Sequence, residues 1–312
     1  MRSFAVALAS LTALAHAVAG AALWGAEGAT PVKRATIPKG TLAPISNFGS
    51  NPTNVKLYAY VPNSVKSNPA MLVALHYCQG SAQALYSGTS FKQYADQYGF
   101  VVMYPSAPDS GGCWDVHTNA TFTHNAGGDS LGIASGIRYL TSALNVNPAR
   151  VVAVGMSSGA MMTNVLAGAY PDLIKAASVC SGVPYGCFAG SGLWSVQCAH
   201  GELVKTPPMG RSREIGVQGL HRVASQDSAV ARARLTRLCT PNFQRNEAVA
   251  NVFGVSQTPT ATTQNYLQSG WTKTDYGSNV QGIYGAGQGH GMPCVPADHG
   301  LARLEPVDMG AS

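Results

Sequence analysis

Residues 150–168 read RVVAVGMSSGAMMTNVLAG and join a short β-branched run to a longer stretch of helix formers. Residues 151–154 have the length and composition of a buried strand, and residues 160–166 have the spacing and residue types of a helix. The joint is Gly155-Met156-Ser157-Ser158-Gly159, two adjacent serines between two glycines. A strand that turns at once into a helix crowds its own backbone, and the two glycines relieve that crowding. Such a turn exposes the hydroxyl of the central Ser157 at the sheet edge. It also leaves the N–H groups that open the helix, Ser158 first, without intrahelical acceptors and so available to an oxyanion. The same residues suit a plainer part, a glycine-punctuated turn with Ser158 capping the helix.

Strand-like runs recur at residues 55–62, 70–78, 100–106, 150–157 and 176–184. Between several of them lie helical stretches, SFKQYADQYG and SLGIASGIRYLTSALN. Alternating strands and helices predict an α/β fold, a mostly parallel sheet with helices on both faces. Ligands in such sheets bind beyond the carboxyl ends of the strands, the edge to which Ser157, Cys78 and the loop after Ser106 are delivered. A chain of 312 residues, less a leader, fits one such domain.

Arg2 precedes an apolar stretch at 4–14 that is too short to span a bilayer, and small residues follow at 15–19. We expect a signal peptide over 1–19, a propeptide over 20–34 ending at the dibasic Lys33-Arg34, and a secreted mature chain over 35–312. Membrane association is not expected. The net charge of +6 arises largely in one segment, where Arg211, Arg213, Arg222, Arg232, Arg234 and Arg237 face only Glu214 and Asp227. A basic excess so confined does not argue for nucleic acid as a partner. Seven cysteines in an exported chain suggest disulfides and at least one unpaired thiol. Spacing does not settle the pairs, although Cys187 with Cys198 and Cys78 with Cys113 are candidates. None of them sits in a zinc motif, and no metal is expected. Cys180, inside AASVCSG, reads as a buried core thiol. Asn119-Ala120-Thr121 is an acceptor sequence for N-glycosylation.

A second constellation is LHYCQG, residues 75–80, where a strand ends in a loop of small residues. Set beside the Ser157 turn, the backbone around Cys78 and Gln79 supplies a second oxyanion donor. His76, at the strand end, reads as a structural histidine rather than a base. The better base is His290 in YGAGQGHGMP, which follows the strand-like VQGIYG in a glycine-rich loop. A serine followed much later by a histidine is the chain order of the hydrolase architecture.

The segments NFGSNPTNVKLYAYVP, LHYCQGSAQALYSG, YADQYGFVVMYPSAP, CWDV, THNAGGDSLGI, GMSSGAMMTNVLAGAYPDL, SGVPYGCF, NVFGVSQTPTATTQNY and GIYGAGQGH together resemble the fungal carbohydrate esterase family 1 enzymes. These are acetylxylan and feruloyl esterases related to polyhydroxybutyrate depolymerases. The resemblance covers about 47–207 and resumes over 241–290. It implies an α/β-hydrolase fold, Ser157 as nucleophile, His290 as general base, and the backbone of Cys78 and Ser158 as oxyanion hole, with no cofactor. HYCQG followed by CWD is more similar to the acetylxylan branch, so acetylated xylan is the expected substrate and feruloylated arabinoxylan the alternative. A catalytically impaired secreted carbohydrate-binding protein is the reading from another class. Trp114 is placed either at the site mouth, stacking on a sugar, or in the core. A monomer is expected.

The resemblance breaks at 209–240, where the family carries its acid in a strand-end motif like WHGTAD. This segment is arginine-rich and shows no convincing strand, and Asp227 reads as a solvated surface residue rather than a triad member. Its codons, however, permit the missing motif. Read one nucleotide later over 209–232 and two later over 233–239, synonymous choices exist that spell WHG and then TAD. The aspartate then falls across the codons of Leu235 and Thr236. We therefore expect compensating frame shifts in this segment. The tail after His290 also departs from the family.

Overall fold

Side chains along a strand point alternately to its two faces, and this alternation sorts the core into two layers. Leu57, Ala59, Met71, Val73, Leu75, Val101 and Met103 belong to one buried cluster, whereas Tyr60, Ala74, Val102 and Tyr104 belong to another. The computed structural model describes residues 36–200, 202, 234–239, 258–266, 269–277 and 280–285, with backbone alone at 200 and 234–239.

The three strands that carry this alternation are β2 (Lys56–Tyr60), β3 (Met71–Leu75) and β4 (Val101–Ser106), preceded by β1 (Leu42–Ile45). Helices α1 (Ala82–Gly88) and α2 (Phe91–Tyr98) cover one face, with Ala82, Leu85, Phe91 and Ala95 in its cluster. Helices α3 (Asn119–Phe122), α4 (Gly128–Leu144) and α5 (Ser158–Ala169) supply Phe122, Ile133, Ile137, Leu140, Met162 and Leu166 to the other. Helix boundaries follow local chemistry. Ser81 opens α1 by accepting from the Ala84 N–H at 3.1 Å. Gly99 and Asn145, both left-handed, end α2 and α4.

Beyond β5 (Val151–Met156) and β6 (Ala176–Cys180) come α6 (Val196–His200), β7 (Arg234–Cys239), β8 (Ala261–Gln264), β9 (Trp271–Tyr276) and β10 (Val280–Gly285). The ten strands form one sheet in the order β1-β2-β4-β3-β5-β6-β7-β10-β9-β8. Pairings from β4 through β10 are parallel, and the two outer pairings at each end are antiparallel. The expected mostly parallel sheet with helices on both faces is therefore present.

One expectation is corrected. Residues 209–240 were expected to hold no strand, yet β7 lies there, bonded to β6 on one edge and to β10 on the other. A strand that neighbours template on both edges needs less from its own residues than an isolated run does, so Arg234 and Arg237 do not exclude it. Asp227 lies outside the described residues, as do 1–35. No described helix is long and apolar enough to cross a membrane.

Candidate active site

Ser157 stands directly after β5 and directly before α5, with φ 55° and ψ −121°. A non-glycine residue in such a region costs on the order of 1–3 kcal/mol and persists only where its surroundings impose it. Here the Ser157 N–H donates to the Cys180 carbonyl at the end of β6 (2.9 Å), and its carbonyl accepts from the Met161 N–H (3.1 Å). Its side chain does not cap the helix. The flanking glycines are required by contact. A Cβ at Gly155 would lie 2.2 Å from the Gly159 carbonyl oxygen, and one at Gly159 would lie 2.2 Å from that of Leu75.

The second serine has a different task. Ser158 is buried, and its Oγ accepts a hydrogen bond from the Trp114 N–H at 2.9 Å. It is thus neither a side-chain cap nor an exposed nucleophile. Its own N–H opens α5, where no carbonyl one turn back can receive it.

Crossing glycines bring the loop after β3 against this turn. In that loop His76 is fully buried, with Nδ1 2.8 Å from the Tyr77 carbonyl and Nε2 accepting from the Ala107 N–H at 3.0 Å. Because an amide can only donate, Nε2 is unprotonated and Nδ1 carries the proton. Burial holds the imidazole below its ordinary pKa, against a smaller opposing effect of the Tyr77 carbonyl. Both nitrogens are committed, so His76 is the structural histidine the sequence suggested. The Gln79 N–H is also committed, donating to the Gly111 carbonyl at 2.8 Å. No hydrogen bond among the described residues uses the Cys78 N–H. Between Cys78 and Gln79, it is therefore the Cys78 amide that makes no bond within the described residues.

Trp114 requires a correction. It was a candidate for stacking on a sugar at the site mouth, but it is 1% exposed and packs its ring against that of His76, centroids 5.0 Å apart. Its Nε1–H donates to the His76 carbonyl at 2.8 Å. The indole is enclosed because its polar edge finds a partner inside the fold. Both candidate cysteine pairs form, Cys78–Cys113 across the two loops and Cys187–Cys198 around a short one. Cys180 is buried on β6 and belongs to neither. Asn119 is exposed at the start of α3. His290 lies outside the described residues. Among the described residues no group of His, Cys, Asp and Glu is placed to hold a metal ion.

One residue the sequence reading missed is Asp129, buried in the first turn of α4 with its carboxylate accepting from the Asp115 N–H at 2.9 Å. Burial raises its pKa above the usual carboxylate value, with the Asp115 N–H acting the other way. Asp115 in turn accepts from the Thr118 N–H and hydroxyl. The motifs CWDV and GGDSLGI contain both aspartates, but only tertiary contact reveals their partnership.

Residues 55–198 match the family model for esterase PHB depolymerase. A probable acetylxylan esterase A of Aspergillus flavus is 39% identical over 267 residues, covering 83% of this chain and 87% of its own. Acetylxylan esterase A of Emericella nidulans is 41% identical over 262 residues, 81% of this chain and 86% of that one. The solved acetyl xylan esterase from Aspergillus awamori superposes with a TM-score of 0.71 at 38% identity, covering 83% of this chain and 97% of its own. The sheet and the strand-turn-helix at Ser157 are those of an α/β-hydrolase fold. With relatives this similar over this much of its length, the chain belongs to the acetylxylan esterase A family of PHB-depolymerase-like esterases.

Proposed function

We propose that this protein is a secreted, monomeric serine esterase that removes acetyl groups from acetylated xylan. The observation that carries the reading is the strained Ser157, held between β5 and α5 in a chain about 40% identical to proteins named acetylxylan esterase A. Ser157 Oγ attacks the acetyl carbonyl while His290 takes its proton. The N–H groups of Ser158 and Cys78 receive the oxyanion. Collapse of the tetrahedral intermediate expels the sugar hydroxyl, which takes the proton from His290 and leaves an acetyl group on Ser157. Water, deprotonated by His290, then releases acetate and restores the enzyme. Side chains and backbone donors supply each step, and no cofactor is called on.

Export follows from the leader at 1–19, with processing after Arg34 and a glycan on Asn119. The test is acetate release from acetylated xylan against ferulate release from methyl ferulate, alongside fluorophosphonate labelling. We expect faster acetate release, label on Ser157, and turnover lowered by roughly 10⁴-fold or more in Ser157→Ala. Faster ferulate release would move the enzyme to the other branch. A wild-type protein that neither labels nor turns over would be a carbohydrate-binding protein on a hydrolase scaffold.

A further inference from the structure

Trp114 touches the carriers of both proposed oxyanion donors. Its backbone N–H donates to Ser158 Oγ at 2.9 Å, and its indole N–H donates to the His76 carbonyl at 2.8 Å. Ser158 opens α5, and His76 lies two residues before Cys78 in the loop that follows β3. Trp114, Ser158 and His76 are each at most 1% exposed, so water cannot replace either bond. The indole is itself held from both sides along the chain. Cys113 is disulfide-bonded to Cys78, and the Asp115 N–H is fixed by the buried Asp129 carboxylate.

We propose that Trp114 is the positioning residue of the oxyanion hole, tying the loop after β3 to the start of α5 and so setting the separation of the Cys78 and Ser158 N–H groups. The inference rests on the esterase reading given above. Oxyanion donors act only when held where the charge develops, and a displacement of about 1 Å is enough to cost roughly 10²-fold in rate. Without the indole N–H, the His76 carbonyl loses its link to Trp114 and the loop is tied to α5 by one bond fewer. The disulfide remains and still leads through the Trp114 backbone N–H to Ser158, but it holds the loop at Cys78 alone and leaves the His76 end without its tie.

Trp114→Phe removes the indole donor while keeping an aromatic ring, and Ser158→Ala removes the acceptor at the other end. Both are assayed as the full mature protein with 4-nitrophenyl acetate, with a phenylboronic acid as a tetrahedral adduct that needs the same donors. We expect kcat to fall about 10- to 100-fold in Trp114→Phe with KM within about twofold, and boronate affinity to fall by a similar factor. Ser158→Ala carries the test if Trp114→Phe does not fold, with the same split expected. A variant that is less heat-stable yet keeps wild-type kcat and boronate affinity makes Trp114 a packing residue only and overturns the proposal. Wild-type protein without esterase activity or boronate binding overturns the esterase reading itself, and the proposal with it.

Discussion

Gly159 passes so close to Leu75 that a methyl group on it would stand 2.2 Å from the Leu75 carbonyl oxygen, and 2.6 Å from that of His76. This crossing seats the first turn of α5 against the end of β3. Intrinsic helix propensity favours alanine over glycine by about 1 kcal/mol, so propensity by itself would make Gly159→Ala stabilising. The contact reverses the sign. We expect Gly159→Ala to lose more than about 3 kcal/mol in urea unfolding or to give no soluble protein. Gly88→Ala, at a helical position with nothing within 4 Å, is expected to be neutral or to gain up to about 1 kcal/mol. Equal stabilities for the two variants would contradict the crossing.

The two disulfides are expected to separate stability from catalysis. Cys78–Cys113 closes 35 residues and Cys187–Cys198 closes 11, so chain entropy assigns about 4 and about 3 kcal/mol to them. Only the first anchors the loop that carries a proposed oxyanion donor. Replacing Cys78 and Cys113 together by alanine is expected to lower kcat as well as stability. The Cys187/Cys198 double variant is expected to lose stability with a smaller effect on kcat. Thermal unfolding and acetate release, measured on both, check the separation.

His76 makes stability depend on pH. Burial lowers its pKa in the folded protein, so on acidification the unfolded chain takes up the proton first. Stability from this group is complete above about pH 6.5, the ordinary value, and is lost as pH falls below it toward the lowered folded value. Protonation of Nε2 would also break its bond with the Ala107 N–H. His76→Gln, which offers an acceptor and a donor without titrating, is expected to be less stable by about 1–3 kcal/mol at pH 8. The stability difference from wild type is expected to shrink between pH 7.5 and pH 5.5. A constant difference across that range would count against a neutral buried imidazole.

Residues 205–245 are open to direct peptide mapping. The codons permit a shifted reading that restores the family's strand-end aspartate, and a histidine base without an acid partner loses about 10⁴-fold in turnover in the protease precedent. Tryptic mass spectrometry of the protein purified from its native source is expected to yield a peptide beginning IQLWHGTAD. The peptide EIGVQGLHR would establish the segment as written, and a sharply reduced acetate release would then follow.

The frame of the fold and the strand-turn-helix that carries the candidate site were legible in the sequence. The strand-like runs at 55–62 and 100–106, the β-branched run at 151–154 and the glycine pair around Ser157 are local signals, and the sheet and the strand-turn-helix follow from them. The roles of Trp114, Asp129 and β7 were not legible in this way. A tryptophan in CWDV reads equally as a sugar platform or as core, and only the acceptors brought to it, Ser158 Oγ and the His76 carbonyl, decide for the interior. Asp129 becomes a buried anchor because the Asp115 amide meets it across 14 residues. The strand β7 exists because β6 and β10 offer it hydrogen bonds on both edges, a condition that no window of 209–240 contains. Strand patterns and tight turns are set by neighbours in the chain. Hydrogen-bond partners of buried polar groups are set by neighbours in space, and the tertiary structure alone supplies those.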